Sequence, residues 1–189
     1  MTRPFAGMDR FMSKTALLVI DMLNDYDHRD ADALAANVAE VVDPLAKLID
    51  EARSRDDVDL IYVNDNRGDF TADRGDLIRT ALDGKRPDLI KPIVPGDECT
   101  FLTKVRHSAF YATALDYLLG RLETKRVVLT GQVTEQCILY TALDGYLRHL
   151  DVVVPPDAVA HIIPELGEAA LAMMERNMGA EVKPSVQCL

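Results

Sequence analysis

Continuous apolar runs recur along this chain, and helical patterns separate them. Runs at 15–20, 58–63, 126–130 and 152–154 are typical of strands buried on both faces, because a strand with one solvated face alternates apolar and polar residues. Amphipathic spacing predicts helices over 33–53, 76–82, 109–119, 135–149 and 165–178. Strands that alternate with helices form a parallel sheet covered on both faces. The pattern therefore predicts an α/β fold with three layers, αβα, around a mostly parallel sheet.

Turn and cap residues predict where these elements end. Pro44 should kink the first helix or begin a second one, and Gly120 should end the helix that begins at residue 109. The hydroxyl of Thr134 should cap the helix that carries Cys137. Short strands are expected at 100–103, after a proline-rich connection, and at 181–182, at an edge of the sheet.

The length and composition fit one globular domain. The chain has 189 residues, of which 48% are apolar, which is enough for a full core. We interpret residues 1–189 as a single domain, with 1–13 as a flexible or peripheral N-terminal segment. No apolar run approaches the roughly 20 residues that span a bilayer, and no signal-peptide pattern is present. These features predict a cytoplasmic protein that does not enter membranes.

The charge of the chain argues against one class of partner. Its formal net charge is −10 at pH 7, whereas nucleic acids and anionic membranes are bound by basic surfaces. The three cysteines, Cys99, Cys137 and Cys188, are odd in number and lack a metal spacing such as C-x-x-C. We therefore expect free thiols in a reducing compartment and a small molecule, not a nucleic acid, as the partner.

Cys137 has the sequence context of a nucleophile. It follows a predicted buried strand, a turn at Gly131 and the first residues of a predicted helix. A thiol in the first turn of a helix faces unpaired backbone N–H groups, which favour the reactive thiolate. The alternative is a small buried side chain without chemistry, which is the commoner role of a cysteine in a core.

Two further reactive side chains follow predicted strands. Asp21 ends the first strand and Lys104 ends the third, and ligands of open α/β sheets bind at the carboxyl ends of strands. A carboxylate can take the proton of a thiol, and a nearby ammonium keeps that carboxylate ionised or favours the thiolate. Each residue taken singly could be a turn or surface residue, but the set at three strand ends favours a catalytic site.

Four segments resemble the isochorismatase-like cysteine hydrolases, a family that includes nicotinamidases, N-carbamoylsarcosine amidases and streptothricin hydrolases. They are residues 19–26, 62–66, 104–110 and 130–137, and the resemblance extends in order over about residues 14–160. It implies a six-stranded, mostly parallel sheet between helices. It also implies that Asp21, Lys104 and Cys137 form a catalytic triad.

The same resemblance implies a mechanism. It implies a cis peptide at Gln132–Val133 and an oxyanion hole formed by the backbone N–H groups of Val133 and Cys137. Cys137 would attack an amide-type carbonyl, Asp21 would move the proton, and water would hydrolyse the thioester. The function implied is cleavage of a C–N bond in a small amide, lactam or carbamoyl compound.

Departures from the family patterns narrow this expectation. Metal-dependent nicotinamidases have an Asp-x-His pattern after the second strand, where this chain has Asp65, Asn66 and Arg67. None of the four histidines has metal-ligand spacing, so we predict no metal site and no cofactor. True isochorismatases lack the nucleophilic cysteine, so Cys137 favours C–N hydrolysis over cleavage of a vinyl ether.

The register of the resemblance places further side chains near the mouth of the site. Those predicted to line a substrate pocket are Tyr26, Asn66, Phe70, Arg106, Phe110, Gln132 and Tyr140. Ordinary packing is the alternative for the aromatic residues, and solvated charge is the alternative for Arg106. Family members are often dimers or tetramers, so a homo-oligomer is expected. Two other functions stay open, a redox protein that uses the Cys137 thiol and a non-catalytic α/β binding module.

Overall fold

A parallel sheet forms the centre of the molecule, for which a computed structural model describes residues 15–189. The expected peripheral segment at 1–13 lies outside the described residues. The strands are β1 Thr15–Ile20, β2 Val58–Asp65, β3 Thr100–Lys104, β4 Arg126–Gln132, β5 Asp151–Val154, β6 Val159–Ala160 and β7 Glu181–Val182. The helices are α1 Ala31–Arg53, α2 Arg74–Leu82, α3 Pro87–Ile90, α4 Leu115–Arg121, α5 Leu139–Leu147 and α6 Pro164–Met178.

The strand order is β3-β2-β1-β4-β5-β7, with β6 paired to the end of β4. Neighbouring strands are parallel at every pairing among residues 15–189, which confirms the predicted α/β class. The six expected strands are all present. The seventh strand, β6, was not predicted. It has only two residues, which is too short for a hydrophobic pattern to indicate a strand.

The order of the strands reverses next to β1. The chain runs from β1 outward through β2 to β3, and then returns to β4 on the other side of β1. Connections on opposite sides leave a crevice at the carboxyl ends of the strands where the order reverses. The fold therefore brings the ends of β1 and β4, and with them Asp21 and the turn before Cys137, to the usual ligand-binding edge.

Two apolar cores cover the faces of the sheet. On one face, Leu17 and Val19 of β1 pack in a cluster with the buried side of α1. On the other face, Leu18 and Ile20 pack in a cluster with buried residues of α4, α5 and α6. Successive side chains of a strand point to opposite faces, so a continuous apolar strand supplies both cores at once. The three-layer prediction is thereby confirmed.

Helices α1 and α4 differ from the prediction. Helix α1 is continuous through Pro44, so no second helix begins there. Helix α4 begins at Leu115 instead of residue 109 and includes Gly120. The segment 109–114 forms turns, because the hydroxyl of Thr113 donates to the carbonyl of Ala109 (2.6 Å) and such side-chain bonds compete with a helix.

The start of the helix that carries Cys137 also differs. Residues 134–138 form one wide turn of π-helix, and α5 begins only at Leu139. Thr134 does not cap this segment, so that prediction was wrong; the N-cap position is Val133. The Thr134 hydroxyl is buried and has no hydrogen-bond partner among the described residues. None of the helices between residues 15 and 189 is both long and apolar enough to cross a membrane.

Candidate active site

The three predicted catalytic side chains meet in one cluster at the carboxyl edge of the sheet. Lys104 Nζ lies 2.7 Å from Asp21 Oδ2 and 3.7 Å from Cys137 Sγ. The Lys104 side chain is fully buried. Asp21 interacts directly with the Cys137 thiol. An acid, an ammonium and a sulfur from separate strands therefore share one pocket.

The Asp21 carboxyl group is held in place from two sides. Its residue has a left-handed backbone (φ 55°) just after β1, and its Oδ1 accepts the backbone N–H of Asp65 at 2.8 Å. The Gln132 side-chain amide donates to the Asp21 carbonyl at 2.6 Å. These bonds tie the end of β1 to the ends of β2 and β4, so the carboxylate keeps its position relative to the thiol.

Glycine is required where β4 ends beside β1. Gly131 has φ 107°, and a Cβ atom there would lie 2.1 Å from the carbonyl oxygen of Ile20. The close approach needs a residue without a side chain. The next peptide, Gln132–Val133, at which the resemblance implied a cis bond, is cis. This turn leads the chain from the sheet directly into the nucleophile segment.

The nucleophile segment is organised around the Val133 carbonyl. This oxygen accepts the N–H groups of Gln136 (3.0 Å) and Ile138 (3.1 Å), the residues on either side of Cys137. The backbone N–H of Val133 is directed at the Cys137 sulfur. The sulfur thus sits beside one of the two N–H groups that the resemblance implied for an oxyanion hole.

Burial is the largest single influence on the pKa values of Asp21, Lys104 and Cys137. It raises the pKa of the Cys137 thiol to about 12, with a further contribution from the Asp21 charge that Lys104 only partly offsets. Burial also raises the pKa of Asp21, against the opposing effect of Lys104. Burial disfavours the Lys104 ammonium too, yet its pKa is raised because Asp21, Cys137 and Asp65 favour the charge.

The expected thiolate is therefore corrected to a neutral thiol. The prediction relied on the N-terminus of a helix, but the segment around Cys137 is a single π-turn in a buried site. A thiol in an apolar, acidic setting holds its proton more tightly. Its activation has to come from the neighbouring carboxylate instead of from a standing negative charge.

Asp65 is a further acidic residue of the site, and the sequence argument considered it only as a remnant of a metal-binding pattern. Its Oδ2 lies 3.4 Å from Lys104 Nζ, and its Oδ1 accepts the backbone N–H of Arg67 at 2.7 Å. The position of Asp65 at the end of a predicted strand could have indicated this role, because Asp65 ends β2 and pairs with Lys104 at the end of β3. Lys104 therefore lies between two carboxylates.

The cluster opens into a cavity of about 360 Å³. Its apolar lining residues, together called the apolar wall, are Leu23, Leu34, Val133 and Ile162. The polar lining residues, besides the three of the cluster, are Asn24, His28, Asp30, Asn64, Asp65, Arg67, His107, Gln132 and Gln136. A volume in this range accepts a small molecule and is at the lower end of ligand pockets.

Of the seven residues predicted to line a substrate pocket, Gln132 lines this cavity. Tyr26 and Phe110 do not, because both are core residues, 1% and 5% exposed. The Phe110 ring also carries the Arg148 guanidinium, whose Cζ is 4.6 Å from the ring centroid. Phe110 belongs to the turns before α4 and not to a helix.

The other four pocket residues also lie elsewhere. Asn66 is buried in the turn after β2, where its Oδ1 accepts the N–H of Gly68 at 3.0 Å. Phe70 is 81% exposed, and Arg106 is exposed without lining the cavity. Tyr140 does not line the cavity. Its ring stacks on that of His107, which does, with ring centroids 5.4 Å apart.

Metal-ligating side chains are not grouped at the site. Over residues 15–189, no three or more His, Cys, Asp or Glu side chains are arranged to hold a metal ion. Arg67 occupies the position of the first histidine in the Asp-x-His pattern, and an arginine side chain is not a metal ligand under ordinary conditions.

Comparisons with known proteins agree with the fold. The isochorismatase domain matches residues 15–185. The Bacillus subtilis protein YaaI, described as an uncharacterized isochorismatase family protein, is 35% identical over 94% of this chain and 99% of its own length. The chain belongs to the isochorismatase family.

Two solved structures illustrate what else shares this architecture. The N-carbamoylsarcosine amidase of Thermoplasma acidophilum is 29% identical, with a TM-score of 0.70 over 91% of this chain and 96% of its own. The pyrazinamidase/nicotinamidase of Streptococcus mutans is 25% identical, with a TM-score of 0.70 over 89% of this chain and 99% of its own. Both named activities hydrolyse an amide-type C–N bond.

Proposed function

We propose that this protein is a metal-independent cysteine hydrolase that cleaves the C–N bond of a small amide, lactam or carbamoyl compound. The observation that carries the proposal is the contact of buried Lys104 with both Asp21 and Cys137 at the floor of a cavity. A charged lysine buried in this way stabilises negative charge on its neighbours. The arrangement suits a nucleophile that must lose a proton during the reaction.

The proposed reaction starts from a neutral Cys137 thiol and an ionised Asp21 carboxylate beside the Lys104 ammonium. The Asp21 carboxylate takes the proton of the Cys137 thiol as the sulfur bonds to the carbonyl carbon, and the C=O electron pair moves to oxygen. When the oxyanion collapses, the C–N bond breaks and Asp21 gives its proton to the leaving nitrogen. A thioester remains on Cys137.

Water completes the cycle at the same residues. Asp21 takes a proton from water as the water oxygen attacks the thioester carbonyl. The C–S bond then breaks, and Asp21 returns the proton to the sulfur. The sum is one amide and one water converted to one carboxylic acid and one amine or ammonia. We assign the oxyanion to the backbone N–H groups of Val133 and Cys137, because the first is already directed at the sulfur.

The named activities of the amidase and nicotinamidase relatives support hydrolysis of amides. The raised pKa of Cys137 argues against the redox alternative, because a thiol that reacts with oxidants is normally an accessible thiolate. The non-catalytic alternative gives no reason to bury a lysine against two carboxylates, an arrangement that is costly unless it is used.

The proposal is tested by ammonia or amine release from a panel that includes nicotinamide, a lactam and carbamoyl compounds. We expect turnover of at least one compound, with a thioester adduct on Cys137 visible by mass spectrometry after acid quench. Cys137→Ala should abolish turnover and Cys99→Ala should not, since Cys99 does not line the cavity. Turnover that survives Cys137→Ala contradicts the mechanism. Turnover that persists after treatment with a chelator is expected, and its loss contradicts metal independence.

A further inference from the structure

The charges around the cavity constrain which amides it can accept. This inference rests on the proposed function and names the class of substrate. We propose that the site selects small amides without a negative charge and discriminates against amides that carry a carboxylate. The cations that line the cavity are already paired with carboxylates of the protein.

The positive charge of Lys104 is already balanced by carboxylates of the protein, so it does not attract a substrate anion. Lys104 and Arg67 are the lysine and arginine side chains that line the cavity among the described residues. Lys104 is fully buried and contacts Asp21 at 2.7 Å and Asp65 at 3.4 Å. A cation between two carboxylates is more than neutralised, so a third carboxylate brought near it would meet net repulsion.

Arg67 is committed in the same way. Its guanidinium forms an ion pair with Asp25, a residue whose side chain is only 20% exposed. Arg67 is the second residue after β2 and has a left-handed backbone (φ 56°). Its N–H donates to Asp65, so the backbone from which the side chain extends is fixed. A substrate carboxylate would have to compete with Asp25 for the guanidinium.

The surroundings add further negative charge. Asp30 and Asp65 line the cavity itself. Asp25 belongs to a neighbouring groove that also contains Asp27, Asp76 and Asp83, with Arg79 and Lys85 as its cations. The protein as a whole has a formal charge of −10. An anion approaching the cavity therefore meets an unfavourable potential before it reaches the thiol.

The remaining polar side chains are suited to uncharged groups. The amide of Asn64 is used by the backbone of Leu23 and Asp65. His28, His107 and Gln136 line the cavity and can exchange hydrogen bonds with neutral carbonyl or amide groups. The apolar wall lines the same cavity. This combination fits a short apolar body with one further neutral polar group.

The test compares two isosteric probes, succinamide and succinamate, at pH 8, where the carboxyl group of succinamate is fully ionised. Binding is measured by isothermal titration calorimetry on Cys137→Ala, which leaves the charged residues of the cavity in place, and as inhibition or turnover of the unchanged protein in the ammonia assay. We expect succinamide to bind at least about tenfold more tightly than succinamate after a statistical factor of two. Equal binding, or tighter binding of succinamate, overturns the proposal.

Variants at the ion pair separate charge from shape. Asp25→Asn keeps the Oδ1 that accepts the Asp27 N–H but releases Arg67, so succinamate should gain about tenfold relative to succinamide. Adding Arg67→Gln should remove that gain. The discrimination of the unchanged protein should also shrink as salt is raised, because salt screens charge but not steric fit. If neither the substitutions nor added salt changes the ratio of succinamide to succinamate binding, charge does not cause the discrimination and the proposal is wrong.

The two proposals fail in different ways. If no amide is hydrolysed in a reaction that depends on Cys137, the proposed function fails, while the calorimetry still reports which probe binds. If hydrolysis depends on Cys137 but succinamate is the better ligand, the function stands and the inference on substrate class is wrong.

Discussion

Burial holds the Cys137 thiol in its protonated form, so its reactivity depends on Asp21. The pKa of the thiol is raised to about 12 by burial and by the Asp21 charge, and near neutral pH the sulfur keeps its proton. Asp21 in turn has a raised pKa, which makes it a better base than an exposed aspartate. The pair is therefore arranged for proton transfer during attack.

Replacing Asp21 with Asn should separate thiol ionisation from catalysis. Asn removes the negative charge that raises the pKa of Cys137 and leaves Lys104, which lowers it. We expect the thiolate absorbance near 240 nm to appear at a lower pH than in the unchanged protein, with Cys137→Ala as the blank. Hydrolysis should nevertheless fall by about 10²-fold or more, because the proton acceptor is gone. A thiol pKa that stays the same or rises contradicts this account.

At the scale of elements, the π-turn at 134–138 is tied to the segment that precedes α6. Glu135, two residues before Cys137, accepts the backbone N–H groups of Ile162 and Ile163 on one oxygen, each at 3.0 Å. Ile162 lines the cavity, and Ile163 is the N-cap residue of α6. One carboxylate thus fixes the nucleophile turn against the apolar wall of the cavity.

Glu135→Ala should loosen both the turn and the wall. Loss of the acceptor leaves two N–H groups without their partner, which we expect to cost about 1–3 kcal/mol, with a lowered kcat for any substrate. Glu135→Gln is the matched control, because its Oε1 can still accept both bonds. Unfolding in urea and steady-state kinetics measure the two effects. A glutamine variant as impaired as the alanine variant would show that charge, not positioning, matters.

Gly131 provides a second test at this scale. Alanine at Gly131 combines φ 107° with a Cβ 2.1 Å from the Ile20 carbonyl, so β4 would have to move away from β1. We expect a loss of more than about 3 kcal/mol in the free energy of unfolding. Gly179→Ala is the control: it has φ 66° but no atom within 4 Å of the added Cβ, and should cost about 1–2 kcal/mol. Equal losses would contradict the importance of the close approach.

The elements differ in how far a sequence can predict them. Strands β1, β2, β4 and β5 were found because each is a continuous apolar run, and Asp21, Lys104 and Cys137 were brought together once those strands were placed. The π-turn could not be read from residues 134–138, since it depends on one carbonyl that accepts two N–H groups in the folded chain.

The lining of the cavity was the least predictable part of the site. Leu34 comes from α1 and Ile162 from the segment before α6, and neither stands near a catalytic motif in sequence. Which loop side chains face a cavity depends on tertiary packing. Phe70, Arg106 and Tyr140 were predicted from the register of the family resemblance, and they do not line the cavity.

For the molecule as a whole, strand order ties the two halves of the chain together. Strand β1 pairs with β2 along one side and with β4 along the other, in each case over six residues. The first half contributes β1, β2 and β3, and the second half contributes β4, β5, β6 and β7. Neither half can complete the catalytic cluster, because Asp21 belongs to the first and Cys137 to the second.

This architecture predicts that residues 15–189 unfold as one cooperative unit. Separating the halves would break the pairing of β1 with β4 and uncover the face of β1 that packs with α5 and α6, where Leu18 and Ile20 are 0% exposed, so partial unfolding at that boundary is unfavourable. Calorimetry should give a single transition with equal calorimetric and van't Hoff enthalpies, and amide exchange should be slowest in β1 and β4. Runs at several protein concentrations separate subunit dissociation, if the expected homo-oligomer forms, from unfolding. Two transitions that do not depend on concentration, with β1 and β4 exchanging at different rates, would mean that the chain folds as two units and that the site forms only when they dock.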